Sequence, residues 1–129
     1  MNSYYFSKVV QSDFDSTILR VTEVLSEFGF GVLTDIDVRA TLKKKLDVDF
    51  RNYRILGACH PPSAFKALSA EDKIGTMLPC NVIVQEHLDG KVEVSAVDPI
   101  ASMMAINNQA LGEIAVNIRE KLKQVIDLL

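Results

Sequence analysis

The sequence predicts a two-layer α+β domain with helices packed on one face of a mostly antiparallel sheet. Two β-rich runs flank an Asp89-Gly90 pair, helical periodicity appears near both ends of the chain, and the connecting segments are short. A tight turn makes its two strands antiparallel, and amphipathic helices need a sheet face to cover. The chain has 129 residues, so we expect one domain, residues 1–129.

Five runs of β-branched and aromatic residues predict the strands of this sheet. In the second run, Val32, Thr34, Ile36 and Val38 are expected to lie on one side. The Asp89-Gly90 pair predicts a two-residue type I′ turn. Pro61-Pro62 ends the third run because proline supplies no hydrogen-bond donor to a sheet. The predicted strands are residues 3–10, 30–38, 53–59, 80–88 and 91–97.

The first helix is predicted from a start signal, a periodic apolar face and a stop signal. Ser12-Asp13-Phe14-Asp15 offers an N-cap with an acid at the third helical position, and Gly29 is typical of a helix C-terminus. Apolar residues between them recur every three or four positions. The face consists of Phe14, Ile18, Val21, Leu25 and Phe28.

Three further helices are predicted, at residues 39–50, 62–70 and 109–129. The first of these has a weak apolar pattern and is expected to close near Asp47. In the second, Ala64, Phe65 and Leu68 are expected to face inward. The last is strongly amphipathic and should cover the sheet. Its apolar stripe consists of Leu111, Ile114, Ala115, Ile118, Leu122, Val125 and Leu129.

The segment 100–106 is apolar on nearly all sides. Such a segment lies either in the core or against another molecule. Its methionines adapt readily to contact surfaces. We favour a homodimer contact over core packing.

Composition and charge exclude several classes of protein. Apolar residues make up 48% and charged residues 24%, as in ordinary globular chains, so neither disorder nor a fibrous structure is expected. The formal net charge of -3 argues against nucleic acid as the partner. No apolar stretch approaches the about 18 residues of a membrane span. No secretory signal is apparent, and the two cysteines favour a reducing compartment, so we expect a cytoplasmic protein.

The reactive candidates are Cys59, His60, Cys80 and His87. Residues alternate between the two faces of a strand, so Cys80 and His87 should point to opposite sides, which disfavours a shared zinc site. Cys59 lies at a strand-to-helix junction, where helix N–H groups can lower a thiol pKa; the alternative is an ordinary buried cysteine. Asp35 and Asp37 share a strand face and either hold a cation or form a solvated edge.

Three motifs resemble one family in their order along the chain. They are, in order, Gly57-Ala58-Cys59 followed by Pro61-Pro62, then Leu78-Pro79-Cys80-Asn81, then Val97-Asp98-Pro99. Together they resemble the domain of unknown function family 302, also called TT1751-like. The resemblance implies a two-layer α+β fold, a dimer and no established activity. His60 departs from the pattern, where asparagine is more frequent, which weakens any mechanism that needs an imidazole. The polar residues matching the family are Cys59, Lys66, Cys80, Asn81 and Asp98.

The leading functional hypothesis is a dimeric module that binds a small molecule or another protein. Its expected pocket is formed by Cys59, His60, Lys66, Cys80, Asn81 and Asp98. One alternative is thiol chemistry, either by a nucleophilic Cys59 or by exchange with Cys80, which requires Cα atoms within about 7 Å. Another is metal or haem capture by Cys59, His60 and Met77. The sequence identifies no cofactor and leaves catalysis open.

Overall fold

A computed structural model describes residues 3–129 as an α+β domain built on one five-stranded sheet. Met1 and Asn2 belong to the predicted domain and to the N-terminal segment in which no secretory signal is apparent, and they lie outside the described residues. The sheet order is β1-β5-β4-β3-β2, and every neighbouring pair is antiparallel. The predicted fold class is confirmed. The strands are β1 Tyr5–Val10, β2 Gly31–Asp37, β3 Tyr53–Cys59, β4 Cys80–Glu86 and β5 Val92–Val97.

Five helices accompany the sheet, and α1 and α5 form the main core with it. The paired positions Leu56, Val82 and Ala96 lie on one sheet face and are fully buried. From the helices, Val21, Leu25, Leu122 and Val125 complete this core. The helices are α1 Phe14–Glu27, α2 Val38–Leu46, α3 Pro61–Ala70, α4 Pro99–Ser102 and α5 Gln109–Asp127.

The ends of α1 and α2 are set by single residues. Asp13 caps α1 by accepting the Ser16 N–H at 2.7 Å, so the cap lies one residue after the Ser12 that the predicted motif requires. Gly29, with φ +84°, follows the helix as expected. Helix α2 ends at Leu46, next to the Asp47 that was expected to close it, because Asp47 adopts the left-handed conformation, with φ 52°.

The hairpin is confirmed, but its predicted type I′ turn is wrong. Gly90 N–H donates to the His87 carbonyl at 2.9 Å, and His87 N–H donates to the Lys91 carbonyl at 2.8 Å, which leaves a three-residue loop. A type I′ turn needs positive φ at both central residues. Only Gly90 has it, with φ +87°, and the Asp89 carboxylate instead accepts the Lys91 N–H.

A β-bulge in β2 overturns the predicted placement of its side chains. Val32 pairs with Ala58 and Thr34 pairs with Gly57, so Leu33 is an extra residue. An extra residue reverses the alternation, and Val32 and Thr34 therefore lie on opposite faces. Val38 belongs to α2 instead of the strand.

Asp35 and Asp37, beyond this bulge, lie on the same face as Arg54. The guanidinium of Arg54 is 2.8 Å from an Asp35 carboxylate oxygen and 3.6 Å from one of Asp37. The cation held by this predicted carboxylate pair is therefore the protein's own arginine.

The inward face of α3 also differs from the prediction. Phe65 is 73% exposed and Leu68 is 46% exposed, whereas Ala67 is buried. Ala67 forms a second core cluster with Leu111 of α5 and with Ile74, which lies in an unpredicted 3₁₀ turn, Ile74–Met77. Ala67 thus faces the neighbouring helix, whereas Phe65 is exposed and Leu68 is only partly covered.

The apolar segment 100–106 is divided between the core and the surface. Met103 and Ile106 pack against the second core cluster, while Ile100 and Met104 are exposed. The segment begins in α4 and continues as a turn, so it is not one helix. Among residues 3–129, no helix combines the length and apolar character needed to cross a membrane.

Candidate functional site

An apolar cavity of about 270 Å³ lies between α3, α5 and the adjoining ends of β3 and β4. Its wall contains no Asp or Glu, and its polar side chains are Cys59, Cys80, His60 and Ser63. The remaining lining residues are Phe30, Leu33, Ala58, Ala64, Ala67, Leu68, Leu78, Pro79, Pro99, Met103, Ile114, Ala115 and Ile118.

The polar end of the cavity forms where β3 passes into α3. His60 is the N-cap of α3, and Pro61 and Pro62 occupy the first two helical positions. Proline suits these positions because its φ is already helical and its missing N–H would have no helical partner. One helical turn then separates His60 from Ser63, and the His60 Nδ1 lies 2.8 Å from the Ser63 hydroxyl oxygen.

The environment of His60 favours a neutral imidazole. Burial lowers the pKa of His60, and the positive charges of Lys121 and Lys66 lower it further. The Phe30 ring packs edge-on against the imidazole, with ring centroids 5.4 Å apart. At neutral pH the polar end of the cavity is therefore an uncharged histidine–serine pair.

The two cysteines line this cavity as free thiols. Cys80 pairs across the sheet with Ala58, the residue before Cys59. Burial raises the pKa of the Cys80 thiol to about 11, and the nearby Cys59 contributes to this shift. Cys80 is consequently a protonated, weakly nucleophilic group at neutral pH.

The other three predicted pocket residues lie outside the cavity wall. Lys66 is exposed on α3, and Asn81 is exposed where β4 pairs with Gly57 of β3. Asp98 is 8% exposed and caps α4 by accepting the Ile100 N–H at 3.0 Å. Its second oxygen accepts a hydrogen bond from Arg119 Nε at 3.2 Å. The structure thus brings together Cys59, His60 and Cys80.

Comparison with known proteins identifies the family. The profile of the domain of unknown function DUF302 matches residues 6–129. The chain belongs to the DUF302 family. It is also similar to the crystal structure of an uncharacterized conserved DUF302 protein from Bacillus stearothermophilus, with 30% sequence identity, coverage of 98% of each chain and a TM-score of 0.90. No curated protein matches the chain significantly. The resemblance of the three motifs to this family is confirmed.

Sequence reasoning missed most of the cavity wall of this DUF302 domain. Ser63 could have been found, because two prolines after a histidine predict a helix start and place residue i+3 one turn away. Ile114, Ala115 and Ile118 were predicted only as an apolar helix stripe. Their role as cavity wall depends on how α5 packs against α3, which no local motif reveals.

Of the three predicted metal or haem ligands, Cys59 and His60 line one cavity of this DUF302 structure, and Met77 lies apart from them. Met77 is exposed on the 3₁₀ turn and does not line the cavity that holds Cys59 and His60. Within the described part of the chain, residues 3–129, no group of three or more His, Cys, Asp or Glu side chains could hold a metal ion.

A second depression of about 420 Å³, lined by Tyr53, Asn81 and Ile83 among others, also has two polar lining residues, Gln85 and Glu93, that already bind other side chains of the protein. Glu93 accepts a hydrogen bond from the Ser7 hydroxyl at 2.6 Å and lies 2.9 Å from His87 Nε2. These hydrogen bonds, that from Ser7 foremost, lower the pKa of Glu93. Gln85 accepts a hydrogen bond from Arg51. The cavity beside His60 is therefore the better candidate for an apolar ligand.

Proposed function

We propose that this DUF302 protein binds a small, predominantly apolar molecule in the cavity between α3 and α5. The supporting observation is the cavity of about 270 Å³, whose wall is apolar except for two thiols and the His60–Ser63 pair. An apolar cavity of roughly 150 Å³ already binds benzene, and drug-sized ligands occupy pockets from about 300 Å³ upward. The volume suits a ligand between these sizes.

The chemistry of the wall supports this ligand class. Burial of apolar ligand surface is favourable by about 25 cal/mol per Å². The neutral His60 and the Ser63 hydroxyl can exchange hydrogen bonds with one polar group on the ligand. A few polar groups on an apolar wall are the usual means of orienting a bound molecule.

Calorimetric titration with 1-octanol tests the proposal. Ala64 is half-buried on the cavity wall, so Ala64→Leu adds three carbon atoms to the space that the ligand needs. Ala70→Leu makes the same change at an exposed position of the same helix. We expect the wild type and Ala70→Leu to bind equally and Ala64→Leu to bind at least about tenfold more weakly, a loss of about 1.4 kcal/mol.

Two results would overturn the proposal. One is that the wild type binds none of the straight-chain alcohols from 1-hexanol to 1-decanol. The other is that folded Ala64→Leu binds 1-octanol as tightly as the wild type does. Circular dichroism of both variants shows whether each is folded.

Homodimer formation is a separate part of the proposal. Ile100 and Met104 are exposed apolar residues in the segment 100–106, and Met104 is 74% exposed. Leu33 and Leu68, on the cavity wall, are exposed as well. A contact with a second copy would remove this apolar surface from water. We also propose a cytoplasmic location, supported by the two free cysteines.

Thiol chemistry receives less support than ligand binding. Cys59 and Cys80 line the same cavity, which favours an encounter between them or with a common ligand. However, burial raises the pKa of Cys80 to about 11, so this residue supplies almost no thiolate at neutral pH. Any nucleophilic thiol of the cavity would therefore be Cys59.

A further inference from the structure

Two lysines approach the polar end of the cavity from different helices. Lys121 lies on α5, three residues after Ile118 and seven after Ile114, both of which line the cavity. Positions related by three and seven residues share a helix face. Lys66 lies on α3, three residues after the lining residue Ser63. Helix α3 packs against α5, so the two lysines lie on neighbouring helices that together enclose the cavity.

Both lysines also influence His60, at the polar end of the cavity. The positive charges of Lys121 and Lys66 both lower its pKa, so both ammonium groups act on the imidazole. Lys121 is half-buried, and a partly desolvated charge interacts more strongly with a partner than one in bulk water.

Neither Lys66 nor Lys121 forms an ion pair with a carboxylate of residues 3–129. Within residues 3–129, the lysine ion pairs are formed by Lys43, Lys73 and Lys91, not by Lys66 or Lys121. The cavity wall itself contains no carboxylate. The cavity thus combines an apolar interior with a hydroxyl at its polar end, and two lysines without an ion-pair partner lie outside its wall on the adjoining helices.

We infer that the natural ligand is an anionic amphiphile, a monocarboxylate with an apolar chain. The inference rests on the proposed function, because the chain must occupy the same cavity. The chain packs against Ile114 and Ile118, and the carboxylate lies beside Ser63, between Lys66 and Lys121. The negative charge of the ligand carboxylate is then complementary to the positive charges of the two lysines, and no carboxylate of the cavity wall repels it.

The test compares octanoate with 1-octanol, which has the same chain length but no charge, at pH 7.5. The wild type should bind octanoate about tenfold more tightly than 1-octanol, as expected for two partly exposed ionic contacts. Raising NaCl from about 0.05 M to 0.5 M should weaken octanoate binding and leave 1-octanol binding nearly unchanged. This measurement needs no variant, so it does not depend on the folding of one.

A matched pair of double variants tests whether Lys66 and Lys121 are the lysines that strengthen octanoate binding. Lys66→Gln/Lys121→Gln should lose about tenfold in octanoate affinity and less than about twofold in 1-octanol affinity. Lys44→Gln/Lys123→Gln removes the same charge at exposed positions and should change neither affinity by more than about twofold. Retained 1-octanol binding also shows that the first variant is folded.

The outcomes separate this inference from the proposed function. If the wild type binds 1-octanol as tightly as octanoate, or if both double variants lose octanoate affinity equally, the anionic ligand class is wrong while the apolar cavity ligand stands. If the wild type binds neither compound, both proposals fail.

Discussion

The His60 Nδ1 lies 2.8 Å from the Ser63 hydroxyl oxygen, across the first turn of α3. Pro61 and Pro62 lie between these residues and start the helix there. The pair forms the polar end of a cavity whose wall is apolar apart from this pair and the thiols of Cys59 and Cys80. The strand-to-helix junction predicted from the sequence therefore forms the polar end of the proposed ligand site.

The first prediction concerns the titration of His60. Burial first, then Lys121 and Lys66, lower its pKa, so the NMR signals of this imidazole should titrate with a midpoint below 6.5, the ordinary value. Between the lowered pKa and 6.5 the unfolded chain binds more protons than the folded chain. The free energy of unfolding should therefore fall as the pH drops through this range.

Urea denaturation at pH 7.5 and pH 5.5 checks the stability consequence. His60→Gln removes the titrating group, so this variant should lose less stability between the two pH values than the wild type loses. A His60 midpoint at or above 6.5 would contradict the assigned environment.

The second prediction concerns the relative reactivity of the two cysteines. Since the pKa of Cys80 is raised to about 11, roughly one molecule in ten thousand carries its thiolate at pH 7. Cys59 should therefore react with iodoacetamide faster than Cys80 in the folded protein. Mass spectrometry of the two peptides gives the rates, and protein in urea, where the difference should largely vanish, is the control. Faster alkylation of Cys80 would contradict the prediction.

The third prediction assigns Asp98 a structural role. Asp98→Ala removes the cap of α4 and the carboxylate partner of Arg119, so the free energy of unfolding should fall by about 2 kcal/mol. Asp72→Ala, at an exposed position, should change it by less than about 0.5 kcal/mol. Urea denaturation measures both values. Folded Asp98→Ala should still bind 1-octanol, because Asp98 does not line the cavity; loss of that binding would make Asp98 part of the site.

The fourth prediction tests the proposed dimer. Met104→Glu places a charge on the exposed part of the segment 100–106, and burying an unpaired charge in an interface is costly. Sedimentation at micromolar concentration should show a dimer for the wild type and a monomer for this variant. Leu19→Glu, at an exposed position of α1, should stay dimeric. A monomeric wild type would rule the dimer out.

Local signals account for the parts of the fold that were predicted well. The predicted bounds of β3 are those observed, because a β-rich run is stopped by the Pro61-Pro62 pair. Gly29 ends the first helical segment as expected. Other features depend on alignment between strands. The extra residue Leu33 reverses the alternation in β2, and nothing in the local pattern marks it as a bulge.

The candidate site was predicted only in part, for a similar reason. Cys59, His60 and Cys80 lie at strand ends that meet in the sheet, so their common cavity follows from correct strand assignments. Lys66 matched the family motif but lies outside the wall, and Asp98 forms a partly buried contact with Arg119, which is 21 residues distant in sequence. Packing of α3 against α5 creates the cavity itself, and its small residues Ala64 and Ala115 give no sequence signal of a ligand.

The most direct test of the cavity proposal is to observe where the bound ligand lies. In isotope-filtered NMR spectra of the complex with 1-octanol, the terminal methyl group should show nuclear Overhauser effects to the methyl groups of Ile114 and Ile118, which line the cavity. At the same ligand concentration Ala64→Leu should greatly weaken these signals, and Ala70→Leu should retain them. Contacts from 1-octanol to Ile83 and Tyr53 instead, in the second depression, would contradict the account.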